Sequence, residues 1–157
     1  SRSQEEVGMV TVQELAFEDV QVGVATQSVE IELTPALVQW YAHALDSPND
    51  NWYRHSSPLG EPIVPPAVLE NLGLGLRGVR IIAPGGSVHS RCEVEHKKPV
   101  AVGTKIRAEG KVTEKFEKRG KWYLVWEVRI TDEGGEEILI GTYTNCALPA
   151  GQKVQYR

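Results

Sequence analysis

The stretch from Lys121 to Thr131 constrains this chain more than any other. Trp122, Leu124, Trp126, Val128 and Ile130 fall on alternate positions, with Tyr123, Glu127 and Arg129 among the residues between them. A period of two fits a strand with one face on a core, and it does not fit a helix. The flanking segments are also strand-like. Ser87 to His96 sets Val88, Cys92 and Val94 against Arg91, Glu93 and Glu95, which puts His89 and His96 on opposite faces. Thr104 to Phe116 leads to a turn at Glu117-Lys118-Arg119-Gly120. Asp132-Glu133-Gly134-Gly135 reads as a hairpin turn before a last strand over Glu136 to Leu148. Earlier in the chain, Ala25 to Leu33 alternates as a half-buried strand.

Two helices are predicted ahead of the strand-rich half. Thr34 can accept a backbone N–H as an N-cap, and Pro35 at the first helical position gives up no needed donor. That helix runs to about Leu45, with Leu37, Val38, Trp40, Tyr41 and Ala44 on an apolar side. Asp46 to Pro62 is rich in Pro, Asp, Asn and Ser and reads as loop. Pro66 opens the second helix, with Val68, Leu69, Leu72 and Leu76 at helical spacing. Gly73 and Gly75 weaken it by about 1 kcal/mol each relative to Ala. Their small size suits close approach to a sheet, whereas Gly73-Leu74-Gly75 lacks the preceding strand and third glycine of a phosphate loop. The order strand, helix, loop, helix and four antiparallel strands predicts an α+β fold with its helices on one face of the sheet.

A chain of 157 residues is read as one domain, 1–157, with residues 1–16 peripheral or disordered. The polar opening Ser1 to Glu6 is not read as a signal peptide. No apolar run reaches the ~18 residues of a membrane span, so a soluble, cytoplasmic protein without a membrane partner is expected. A net charge of −4 without a basic stripe argues against nucleic acid. Lys111, Lys115, Lys118, Arg119 and Lys121 cluster near one turn and are read as a solvated hairpin tip. Cys92 and Cys146 lie in strand-like runs without metal-ligand spacing and are expected to be thiols in a reducing compartment. No metal or other cofactor is expected.

Three motifs carry a resemblance. They are Trp40-Tyr41-Ala42-His43-Ala44 running into Asp46 and Trp52-Tyr53; Gly60-Glu61-Pro62-Ile63-Val64-Pro65-Pro66; and Cys92-Glu93-Val94-Glu95-His96-Lys97-Lys98-Pro99-Val100-Ala101-Val102-Gly103-Thr104. From Phe17 to Leu148 the chain resembles the MaoC-like acyl-thioester hydratases and dehydratases. That resemblance implies the hotdog fold, an antiparallel sheet wrapped around a long central helix. Pro65-Pro66 stands where these enzymes carry His-Gly, Trp52-Tyr53 where they carry an apolar residue and His, and Thr104 where they carry Asp. The branch with Pro-Pro and Trp-Tyr includes non-catalytic partner subunits of heterodimeric dehydratases.

The family's chemistry needs an acid–base pair, an Asp and a His in an Asp-x-x-x-x-His spacing, and an N–H at the start of the central helix for the thioester oxygen. Three registers are open here. Asp46 with Asn51 has the spacing, but an amide does not exchange a proton near neutral pH. Asp50 with His55 has both spacing and chemistry. A register fixed by Trp52-Tyr53 puts Tyr53 at the His position, and Tyr is a poor base at neutral pH. The resemblance thus marks Asp50, His55 and Tyr53 as catalytic candidates. It marks Asp46, Asn51, Trp52, Pro66 and Ala67 as substrate-binding candidates, Ala67 because Pro66 has no N–H to offer. It implies enoyl or 3-hydroxyacyl thioesters of coenzyme A (acyl-CoA) or acyl carrier protein (acyl-ACP) as ligands. It also implies a homodimer, higher homo-oligomer or heteromeric hotdog pair. If active, the chain is a hydro-lyase working without metal. The alternatives are a non-catalytic acyl-binding partner subunit and a hotdog thioesterase using Glu70 on the second helix.

Overall fold

The computed structural model describes residues 13–26, 28–75 and 79–151. The elements are β1 (Gln13–Leu15), β2 (Val29–Glu32), α1 (Pro35–Leu45), α2 (Asp50–Arg54), α3 (Pro66–Gly75), β3 (Val79–Ile81), β4 (Ser87–His96), β5 (Lys105–Lys118), β6 (Lys121–Asp132) and β7 (Glu137–Ala147). Strands in the order β2-β5-β6-β7-β4 form one antiparallel sheet. α3 lies across one face, over β5, β6 and β7. Ile106, Ala108 and Val112 of β5, Leu124, Trp126, Val128 and Ile130 of β6, and Leu139 and Tyr143 of β7 are buried on that face. Val64, Val68 and Leu69 close the core from the helix side. The alternation in the sequence is therefore the alternation between core and outside. Leu76, assigned to α3 from its spacing, lies outside the described residues.

Local chemistry sets the boundaries. Thr34 caps α1 by accepting the Leu37 N–H at 3.3 Å. Arg119 and Gly120 have φ of 54° and 70°, so the β5–β6 hairpin closes on a two-residue turn, and β5 runs to Lys118. β2 is shorter than its pattern predicts. Before it, Gly23 and Thr26 donate to the carbonyls of Val112 and Gly110 at 2.8 and 2.7 Å, so the approach to β2 is tied to β5 irregularly. The parallel pair β1–β3 joins Gln13–Leu15 to Val79–Ile81. Three residues are too few to show a period, so nothing in the sequence announces this pair.

β4 corrects one face assignment. A register shift between His89 and Arg91 leaves Ser90 as the extra residue. Cys92 and His96 pair with Tyr143 and Leu139 on the α3 side, and His89 pairs with Asn145, two residues from Tyr143. His89 and His96 thus share the helix-facing side, and Val88 turns away. Except for Val94, β4 is exposed throughout, as suits an edge strand.

The basic cluster is divided by the sheet. Lys118, Arg119 and Lys121 stay exposed at the hairpin. Lys111 pairs with Glu127 at 3.3 Å. After a bulge in β5 between Val112 and Glu114, Lys115 pairs with Leu124, and its side chain turns to the segment before β2. Its ammonium donates to the carbonyls of Phe17, Glu18 and Val20 at 3.2, 3.0 and 2.9 Å. It also lies 5.4 Å from the centroid of Phe17, which stacks on Trp122. An ammonium has three donors, and all three are used. Lys115→Met is expected to lower stability by about 1–3 kcal/mol, because methionine cannot replace the carbonyls' partner. A urea midpoint equal to wild type would show that the 17–20 segment does not depend on this cap.

Glu127 accepts from Arg129 Nε at 3.0 Å. That bond holds its carboxyl below the usual range; partial burial opposes the shift, and Lys111 adds to it. The unfolded chain then binds the proton more readily than the folded one. The stabilisation is present above the ordinary glutamate range and is lost as pH falls through the lower folded value. The urea midpoint should drop across that acid window, and the drop should be smaller in Glu127→Gln, which has no proton to take up there.

Candidate active site

The three motifs meet at the start of α3. Ile63 donates to the Trp52 carbonyl at 3.0 Å, Val64 to Val100 at 2.8 Å, and Val102 to Pro62 at 3.0 Å. Gly103, with φ of 93°, turns the chain so that its N–H reaches the Leu33 carbonyl at 2.8 Å, beside the cap of α1. Pro65 is fully buried and Pro66 opens the helix. The Val68 N–H bonds the Pro65 carbonyl at 2.9 Å and Pro66 has none, so Ala67 supplies the first N–H of α3.

The segment read as loop between Asp46 and Pro62 contains α2. Asp46 ends α1 in the left-handed region with φ of 44° and is exposed. Asp50 opens α2, and its Oδ1 accepts from Arg54 Nε at 2.7 Å. This i,i+4 acid–base spacing was visible in the sequence and would have marked the helix. His55 follows α2 as its C-cap; its backbone N–H bonds the Asn51 carbonyl at 2.9 Å, and the residue is exposed. Asp50 is therefore joined to Arg54, and no hydrogen bond links it to His55. Asn51 and Trp52 are exposed, whereas Tyr53 is half-buried against the core. The Ile63–Trp52 bond ties the segment that leads into Pro66-Ala67 to α2, which carries Trp52 and Tyr53. Asp46 belongs to the far end of α1.

A second acid–base contact was not anticipated. Glu70 of α3 and His96 of β4 meet with Oε1 and Nε2 2.9 Å apart. Cys92, on the same side of β4, is exposed as a residue, yet partial desolvation of its sulfur and then the charge of Glu70 push its thiol up. Helical spacing gave no partner for Glu70, and the contact spans two elements far apart in the chain. Only the register of β4 against β7 could have revealed it.

Cys92 and Cys146 are both free thiols. Among the described residues, no group of three His, Cys, Asp or Glu side chains is placed to hold a metal. No described helix is long and apolar enough to cross a membrane.

The sequence matches no protein-family model and no curated protein. Solved structures share its backbone path. An (R)-hydratase from A. caviae involved in PHA biosynthesis superposes with a TM-score of 0.67 at 24% identity, covering 84% of this chain and 99% of that one. This chain has the hotdog fold. A MaoC-like dehydratase from Rhodospirillum rubrum matches this hotdog with a TM-score of 0.65 at 15% identity, over 84% and 95% of the two chains. A HadBC (3R-hydroxyacyl-ACP dehydratase) complex from Mycobacterium tuberculosis contains a chain that matches with a TM-score of 0.64 at 18% identity, over 80% and 96%. In this hotdog, α3 is the central helix and β4 is an edge strand among the described residues.

Proposed function

We propose that this chain binds acyl groups carried as thioesters on coenzyme A or acyl carrier protein, as one subunit of a hydratase- or dehydratase-type hotdog assembly. The observation that carries this reading is the convergence of the three motifs on the first turn of α3. There the Ala67 N–H and the positive end of the helix dipole suit a thioester oxygen. Trp52 and Tyr53 supply aromatic surface beside it, and Asp46 and Asn51 supply polar rims to the same connection. Asp50 anchors α2 through Arg54 in this reading, so Asp50 and His55 are not its proton-transfer pair. The fold is shared with an (R)-hydratase and with a subunit of a heteromeric dehydratase, which supports a second hotdog, identical or different, completing the slot along β4.

The test is calorimetric titration with crotonyl-coenzyme A and longer 2-enoyl homologues, alongside light scattering. Saturable binding is expected, weakened about tenfold or more by Trp52→Ala, with a particle of at least two subunits. A folded monomer that binds no acyl thioester of any length would overturn the reading.

A further inference from the structure

The central helix and the edge strand hold between them what the α1–α2 connection does not, a carboxylate and an imidazole in direct contact. α3 packs over β5, β6 and β7, and Glu70–His96 is the side-chain bridge from it to β4. Both groups remain reachable, with side-chain exposures of 42% for Glu70 and 32% for His96. An ionised carboxylate only accepts hydrogen bonds, so the Nε2 that faces Glu70 is the protonated nitrogen. Nδ1 then offers its lone pair, and no described residue bonds it. A carboxylate behind the ring fixes this tautomer and stabilises the imidazolium that forms when Nδ1 takes a proton. The neighbouring groups define what the pair can do. Partial desolvation and the charge of Glu70 push the Cys92 thiol up, which disfavours the thiolate that a nucleophilic cysteine needs. His89, further along the same side, lies against the Tyr143 ring with centroids 5.7 Å apart.

We propose that His96 is the proton-transfer residue of this hotdog and that Glu70 positions it, acting on a 2-enoyl thioester whose carbonyl oxygen lies at the Ala67 N–H. The proposal rests on the acyl-thioester reading above. Ala67 and Glu70 are three residues apart, about 4.5 Å along the helix axis and on neighbouring positions of one side of α3, and the proposal sets C2 and C3 of the thioester beside the pair. Water adds through its oxygen to C3, and its proton passes to Nδ1 of His96. The electron pair of the C2=C3 bond moves to C2 through the enolate, and the same proton is returned to C2. The product is a 3-hydroxyacyl thioester; the reverse path is dehydration. No further reactant is consumed, and Glu70 stays ionised throughout.

The experiment follows crotonyl- and 2-octenoyl-coenzyme A with three readouts: binding by calorimetry, loss of enoyl-thioester absorbance, and release of free thiol. Wild type is expected to consume the enoyl group without releasing thiol. His96→Gln and Glu70→Gln should lower kcat about 100-fold or more, the scale of general acid–base catalysis. KM and the melting temperature should change little, since both side chains are accessible. Imidazole in the buffer should restore part of the rate to His96→Ala, a rescue that a purely structural histidine would not show. A wild type that binds but leaves the enoyl group intact overturns the dyad and leaves the binding function standing. So does undiminished turnover in both variants, or thiol release in place of hydration. Absence of any binding overturns both.

Discussion

Trp126→Ala is expected to destabilise the protein by about 3–5 kcal/mol, the range for emptying a buried aromatic site. Trp126 is 2% exposed and sits at the middle of the central strand, across from Val112 on β5 and Tyr143 on β7. Its neighbours are strands hydrogen-bonded on both sides, so the backbone cannot close over the void. For a domain of this size about 1 kcal/mol corresponds to 2–4 °C, so the melting temperature should fall by roughly 6–20 °C. Urea unfolding would measure the free energy directly. A loss below about 1 kcal/mol would mean that the indole does not fill the space between sheet and helix.

Gly141→Val is expected to cost about 3 kcal/mol, for the opposite reason. A Cβ at Gly141 would lie 2.4 Å from Cε2 and 2.7 Å from Cζ and Oη of Tyr143. The Tyr143 ring is 0% exposed and cannot swing into solvent to make room. Overpacking a filled core costs about 1–3 kcal/mol, and valine adds two methyl groups beyond the clashing carbon. The diagnostic measurement is a double-variant cycle with Tyr143→Leu, which shortens the obstructing side chain. The second change should be much less harmful in the valine background than alone. Strict additivity would show that the two residues do not compete for the same space. Gly73 offers a contrast, since its added Cβ would meet Val128 Cγ1 at 3.3 Å, and only a small shift is needed.

How far these features could be read from the chain depended on their range. β6 was legible because each residue reports its own face through a period of two. The Thr34 cap and the Pro66 start were legible because capping acts over three or four residues. The family resemblance marked the motifs 60–66 and 97–104, but their convergence was not read from the chain, because local propensity does not join distant segments. α2 was hidden by its company: Asp, Asn, Ser and Pro favour loops, yet the Asp50–Arg54 pair draws one turn and a half into a helix. The same bond gives Asp50 a partner, Arg54, that the Asp-x-x-x-x-His spacing did not anticipate. Glu70–His96 was hidden because it joins a helix to a strand 26 residues away, beyond the reach of any local pattern; the extra residue at Ser90 misplaced Val88 and His89, whereas the phase past it, with Cys92, Val94 and His96 on one face, was legible.

Among the described residues β4 is the last strand of the sheet on its side. An unpaired border invites any extended chain to add on, and folds guard against this with kinks and charges. Here the kink at Ser90 is combined with Arg91, Glu93 and Glu95 along the side facing away from α3. A strand laid against this border must therefore match both an irregular step and a row of one basic and two acidic residues. Stray polypeptides will seldom satisfy both, so the same few residues discourage aggregation.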